Sequence, residues 1–151
     1  KALGSEFFDF ENNNPAIDSC HSYSHEKYYS GKTSSKLSSK QEYSATYQKS
    51  LNDLPAGTTE IRIKFKISGD TTDSKEAQVV FSIDGPDGKN KLWLPATITT
   101  PKTEWAEVQS NFVFIPANYQ FDSHLKAYIW NPKKKLFYVD DLTIEFWGTE
   151  K

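Results

Sequence analysis

The stretch that most constrains this chain is its last, Leu136 to Gly148, LFYVDDLTIEFWG. Leu142, Ile144 and Phe146 alternate with Thr143, Glu145 and Trp147, the period-2 pattern of a strand with one buried face. Phe137 and Val139 alternate too, but they are odd-numbered where the later apolar set is even-numbered. A slip of one residue moves every side chain to the other face, so the phase change at Asp140-Asp141 predicts a β-bulge. Two carboxylates at the kink of a core strand are costly unless solvent or a cation meets them.

The same alternation recurs along the chain. Phe7 to Glu11, FFDFE, reads as a short strand with Phe8 and Phe10 on one face, ended by Asn12 to Pro15, since Asn and Pro favour turns. Glu42 to Leu51 sets Tyr43, Ala45 and Tyr47 against Ser44, Thr46 and Gln48. Thr59 to Ser68 is the cleanest strand, with Ile61, Ile63, Phe65 and Ile67 inward and Arg62, Lys64 and Lys66 outward. Ala77 to Asp84 turns Val79, Phe81 and Ile83 inward, and Lys91 to Ile98 sets Leu92 and Leu94 opposite Trp93. Leu125, Ala127 and Ile129 share a face opposite Lys126, Tyr128 and Trp130. Gly69 to Lys75 is a polar loop, and Gly85-Pro86-Asp87-Gly88 is a strong turn. Roughly nine short strands with regular turn signals and no helical period predict an all-β fold, an antiparallel β-sandwich of the jelly-roll kind. Residues 7–148 read as one domain and 149–151 as a tail. Residues 1–6 read as linker or vector-derived, because Gly4 to Phe7 has the look of a cloning scar. The polar loop from Ala16 to Ser35 is long for a compact domain, and such loops are usually functional or metal-tied.

Charge and motifs exclude several functions. A net charge of -2 argues against an electrostatic nucleic-acid binder. No apolar run approaches the ~20 residues of a membrane span. The single Cys20 rules out an internal disulfide or a multi-cysteine metal site. No Gly-x-Ser-x-Gly, phosphate-loop or paired-cysteine motif occurs, and His21 and His25 sit in a loop, where a four-residue spacing does not make a metal pair. A glycosidase needs two carboxylates ~5–9 Å apart across a cleft; the adjacent Asp140 and Asp141 read as structural. No catalytic residue is assigned.

Aromatics make up 15% of the chain. Pyranose rings present C–H bonds that stack on aromatic faces, while amides and carboxylates hold their hydroxyls. The ligand candidates are therefore Trp130, Tyr128 and Trp93 on non-core faces, with Gln78 and Arg62 on polar faces and Tyr28 in the long loop. Ser82 and Asp84 lie on the same polar side as Gln78. Trp105 reads as core, and Trp147 as the cover of an open edge. Trp130 and Trp93 are equally open to a structural reading, in which Trp130 packs under the long loop.

The order of signals adds a further reading. Phe10-Glu11 ends the first strand, Ser30-Gly31-Lys32-Thr33-Ser34 follows, Trp105 opens a strand that closes in Phe112-Val113-Phe114-Ile115-Pro116, and Tyr138-Val139-Asp140-Asp141-Leu142 closes the chain. This order resembles the β-jelly-roll carbohydrate-binding modules of the family 4 and family 22 kind, from Phe8 to Phe146. The family often carries a tryptophan in the loop between Glu11 and Ser30; this chain has none there. The resemblance implies a non-catalytic module, monomeric and part of a larger, secreted bacterial protein, that holds a polysaccharide or oligosaccharide at the cell surface or outside the cell. It also implies one structural calcium, with Glu11 and Asp141 supplying carboxylates and Lys32 and Ser35 carbonyls, in keeping with calcium's taste for ~6–8 oxygens. The competing functional readings are a protein-interaction or adhesion sandwich and, third, a jelly-roll lyase or glycosidase.

Overall fold

The computed structural model describes residues 1–69, 77–98 and 105–149. Residues 70–75 of the expected polar loop and 150–151 of the expected tail lie outside them. Eleven strands form among the described residues: β1 (Ala2–Phe8), β2 (Ile17–Asp18), β3 (Tyr23–Ser24), β4 (Ser34–Leu37), β5 (Thr46–Ser50), β6 (Thr58–Gly69), β7 (Gln78–Asp84), β8 (Asn90–Thr97), β9 (Ala106–Val113), β10 (His124–Trp130) and β11 (Phe137–Gly148). Short 3-10 turns follow at Leu51–Asp53 and Pro116–Asn118. No helix among the described residues is long and apolar enough to cross a membrane.

The strands pair antiparallel into two sheets. The first runs β3-β4-β11-β6-β9, with β1 also against β11, and the second runs β2-β5-β10-β7-β8. β11 is the spine of the first sheet. One of its edges is covered by β6 throughout. The other is divided: Phe137 to Val139 pair with β4, and Leu142 to Trp147 with β1. The division falls at the expected bulge. Asp140 stands opposite Lys66 but Thr143 opposite Lys64, so three steps along β11 match two along β6. Asp141 absorbs the extra residue at φ 50°, a left-handed conformation that costs most L-residues ~1–2 kcal/mol and that Asp and Asn tolerate best.

The inward residues of both sheets make one core. Ile61, Ile63, Phe65 and Ile67 of β6 and Leu142, Ile144 and Phe146 of β11 face Val79, Phe81 and Ile83 of β7 and Leu125, Ala127 and Ile129 of β10, all buried. Each large aliphatic side chain fully buried in this way stabilises the fold by ~1.5–3 kcal/mol. The alternation read from the sequence therefore holds for the core.

Three local readings are corrected. The first strand ends at Phe8, because Phe10 turns the chain at φ 65°. It begins at Ala2, so the boundary placed before Phe7 runs through it: Gly4 pairs with Phe146, and the Glu6 carboxylate takes the Tyr47 hydroxyl and, at 3.1 Å, Lys49. The long loop contains β2 and β3, which pair with β5 and β4.

Candidate functional site

The outer face of the second sheet carries the site. Register decides which outward side chains meet: Gln48 lies opposite Lys126, Lys126 opposite Ser82, and Ser82 opposite Trp93. In the neighbouring rows Tyr128 lies opposite Val80 and Trp130 opposite Gln78. Thr46, Gln48, Lys126, Ser82 and Tyr128 form the floor of a cleft of about 470 Å³, within the range of small-ligand sites. Asp18, Cys20, Gln41 and Tyr43 bound it on one side; Trp93, Asn90 and Asp84 bound it on the other.

Tyr43 reaches this cleft through a second register slip. β5 pairs with β10 as Ser50 to His124 and Tyr47 to Ala127, which would set Ser44 opposite Trp130. Instead Tyr43 bridges to Trp130, one residue out of step. The buried Ser44 fills the gap: its amide donates to the Ile129 carbonyl (3.1 Å), and its Oγ accepts from the Ile129 amide (2.8 Å). Tyr43 is thereby turned outward, 45% exposed, although it shares the sequence phase of the fully buried Tyr47. The Gln41 amide pins this segment to the long loop, donating to the carbonyls of Cys20 (2.8 Å) and Tyr43 (2.7 Å).

The aromatic rings are interlocked. Trp93, 42% exposed, donates its indole N–H to the Tyr128 hydroxyl (3.2 Å). Tyr43 meets Tyr128 edge to face at 5.9 Å, and Trp130 meets Trp93 edge to face at 5.8 Å. Trp130 is half-buried, and its indole N–H is held by Glu42 at 2.8 Å. It props Trp93 from behind and does not line the cleft. Partial burial, and then the Glu42 carboxylate, raise the Tyr43 phenol above its ordinary value. Burial likewise pushes the Cys20 thiol up, which leaves it a poor nucleophile at neutral pH.

The charges largely cancel. Lys126 lies 3.1 Å from Asp84, whose other oxygen takes the Asn90 amide at 3.1 Å. Asp18 accepts the Cys20 backbone N–H at 2.9 Å. Both cleft carboxylates thus accept hydrogen bonds. What remains open is aromatic surface with amides and hydroxyls beneath it, which suits an uncharged polyol.

Of the six ligand candidates from the sequence, the structure brings Trp93 and Tyr128 into the cleft and sets Trp130 and Gln78 beside it. Gln78 Oε1 is buried without a hydrogen-bond partner among the described residues. Arg62 and Tyr28 lie elsewhere. Arg62 faces out from the first sheet, its guanidinium 3.5 Å over the Trp147 ring and 2.7 Å from Glu60. That stack also places Trp147 on an outer face and not over an edge of the core. Tyr28 is exposed in the loop before β4. Trp105 is half-buried against Tyr29, at 5.8 Å. Tyr43, Gln41, Gln48, Asn90 and Asp18 are cleft residues that strand alternation did not single out.

The expected calcium ligands gather around the loop after β3 in another way. Glu11 accepts the Lys32 and Thr33 amides, both at 2.8 Å, and its carboxylate fills the space over Gly31, where an added Cβ would lie 2.3 Å from Glu11 Cδ. Asp140, fully buried, accepts the Tyr29, Ser30 and Asp141 amides at 2.9, 3.1 and 2.8 Å. Burial raises its pKa to about 6 against those three donors. Asp141 takes the Ser30 hydroxyl. The Lys32 carbonyl meets His25 Nδ1 at 2.8 Å, and Ser35 sits inside β4, its hydroxyl bonded to Ser22 and to the Ala45 amide. The loop turns N–H and O–H donors toward the acids, where a cation needs carbonyls. No three acidic, His or Cys residues among the described ones gather around a point an ion would fill. Through these bonds the residues form a hydrogen-bonded clasp between the first and last strands.

A scan against protein-family models finds no match to this chain, and no curated protein matches it. Solved structures do. A second family 22 xylan-binding domain of Paenibacillus barcinonensis superposes with a TM-score of 0.64 at 17% identity, over 97% of this chain and 100% of that one. The first such domain of the same protein gives 0.60 at 15% identity, over 99% and 97%. The C-terminal family 22 carbohydrate-binding module of a Clostridium thermocellum protein, described for the role of its cleft in ligand binding, gives 0.57 at 13% identity, over 99% and 86%. The chain carries the β-jelly-roll fold of the family 22 xylan-binding modules, matched over 97 to 99% of its length.

Proposed function

We propose that this protein is a non-catalytic carbohydrate-binding module, and that a neutral polysaccharide, xylan first, lies in the cleft across the second sheet. The observation that supports this most is the pair of exposed rings, Trp93 and Tyr43, flanking a floor of Tyr128, Gln48, Ser82 and Lys126. A sugar ring stacked on such a platform buries its C–H face against the rings, which stabilises it by ~25 cal/mol per Å² of apolar surface removed from water. The xylan-binding names of the structural neighbours point to the same ligand class. Attached to an exported enzyme or surface protein, a module of this kind raises local substrate concentration, so weak binding per site suffices. Affinity electrophoresis in soluble xylan, mixed-linkage β-glucan, mannan and polygalacturonate tests this. Retardation by a neutral polymer, lost in Trp93→Ala, is expected. Silence across the panel overturns sugar binding, and release of reducing ends from any polymer overturns the non-catalytic reading.

A further inference from the structure

A larger opening lies at the end of the sandwich. It has a volume of about 590 Å³ and is bounded by the β7–β8 hairpin on one side and the segment after β9 on the other. Gly85, Pro86, Asp87 and Lys91 come from the hairpin; Asn118, Tyr119, Gln120 and Ser123 come from the facing segment.

Both walls are rigid. The hairpin is closed by Gly85 N–H to Lys89 O (2.8 Å) and Gly88 N–H to Gly85 O (2.9 Å). The facing segment is closed by Asn118 N–H to Ile115 O, Tyr119 N–H to Pro116 O and Ser123 N–H to Gln120 O, at 3.0, 3.0 and 2.9 Å. Pro86 and Pro116 fix φ in each wall, so the opening is preformed and costs little ordering on binding.

The hairpin is shared with the cleft but divides the two openings. Asp84 and Asn90 line the cleft, while their chain neighbours Gly85 and Lys91 line the end pocket. The two openings have no lining residue in common.

The lining has a definite chemistry. Tyr119 is half-buried and packs on the core, which holds its ring as a wall. The side-chain amides of Asn118 and Gln120 are exposed and make no hydrogen bond among the described residues. Among the described residues the only charges lining it, Asp87 and Lys91, lie 3.7 Å apart and cancel. An aromatic wall, two free planar amides and no net charge select against phosphates, carboxylates and cations, and they suit the apolar face and hydroxyls of a sugar.

We infer that this end pocket is a second binding site, distinct from the cleft, for a short neutral oligosaccharide stacked on Tyr119 and held by Asn118 and Gln120. The test is heteronuclear NMR titration with xylotetraose and cellotetraose, in the wild type, Trp93→Ala, and the Asn118→Ala/Gln120→Ala double variant. The inference expects saturable shifts of the Asn118 and Gln120 side-chain amides that persist in Trp93→Ala. In the double variant the accompanying shifts of the Gly85 and Tyr119 backbone amides need at least tenfold more sugar, while the Trp93 indole responds as in the wild type. Movement of the indole alone, with both amides still at saturation, overturns the second site and leaves the cleft reading intact. Movement of the amides alone does the reverse. Stillness everywhere overturns both.

Discussion

Two of this molecule's register slips set up two of its polar regions, and they work in opposite ways. In β11 the slip at Asp140-Asp141 turns carboxylates inward toward a loop, where backbone and hydroxyl donors consume them. In the lead-in to β5 the slip at Ser44 turns an aromatic ring outward and leaves it 45% exposed. The first slip closes a structure: every acid around it accepts a hydrogen bond, and Gly31 has no room even for a methyl group. The second opens one. A group that has spent its bonding capacity holds a fold together; a group left with surface to spare recognises something else.

The comparison yields graded tests. Gly31→Ala attacks the clasp at its tightest point, adding both a clash with Glu11 and strain at φ 61°. Urea unfolding should show a loss of ~3 kcal/mol, while affinity for xylan in the folded fraction stays as in the wild type. A parallel loss of affinity would break the separation of the two regions. Trp93→Ala reverses the pattern. As a hot-spot ring it should cost ~2 kcal/mol of binding, roughly thirtyfold by calorimetry, with a much smaller change in the unfolding midpoint because the ring is 42% exposed. Tyr43→Ala removes the opposite ring and should weaken binding roughly fivefold, ~1 kcal/mol; no change would mean that the slip at Ser44 carries no recognition. A chelator should leave the thermal midpoint where it is, since the clasp is built of hydrogen bonds. A fall in the midpoint on adding EDTA, restored by calcium, would return Glu11 and Asp141 to the role of ion ligands.

The asymmetry also explains what could be read from the sequence. The core and the β11 bulge were legible because Phe137 and Val139 on one side, and Leu142, Ile144 and Phe146 on the other, are unambiguously apolar and change phase in view. Around Ser44 the neighbours are Tyr43, Ala45 and Tyr47. Tyrosine suits an interior and a surface equally, so its phase carries no signal, and Tyr43 read as a partner of buried Tyr47. The outward direction of Trp93 and Tyr128 was legible because clear core residues flank them. That Arg62 lies on the other sheet was not: alternation shows that a side chain leaves the core, but not which of two sheets it leaves from. The acids of the clasp were found by motif order, yet the direction of the loop's amides, which decides between cation and hydrogen bond, has no trace in residue type.

The outward turn of Tyr43 has a consequence for how such proteins diverge. Its direction depends on the register of the strand and not on its own identity. If β5 and β10 paired one to one through this point, Ser44 would stand opposite Trp130 and Tyr43 would swing toward the core, removing one wall of the cleft without altering any residue that lines it. The extra residue accommodated at Ser44 therefore sets which way the ring faces. Two chains with matching residues across the sheet would still present different rings to solvent if one kept this extra residue and the other paired one to one.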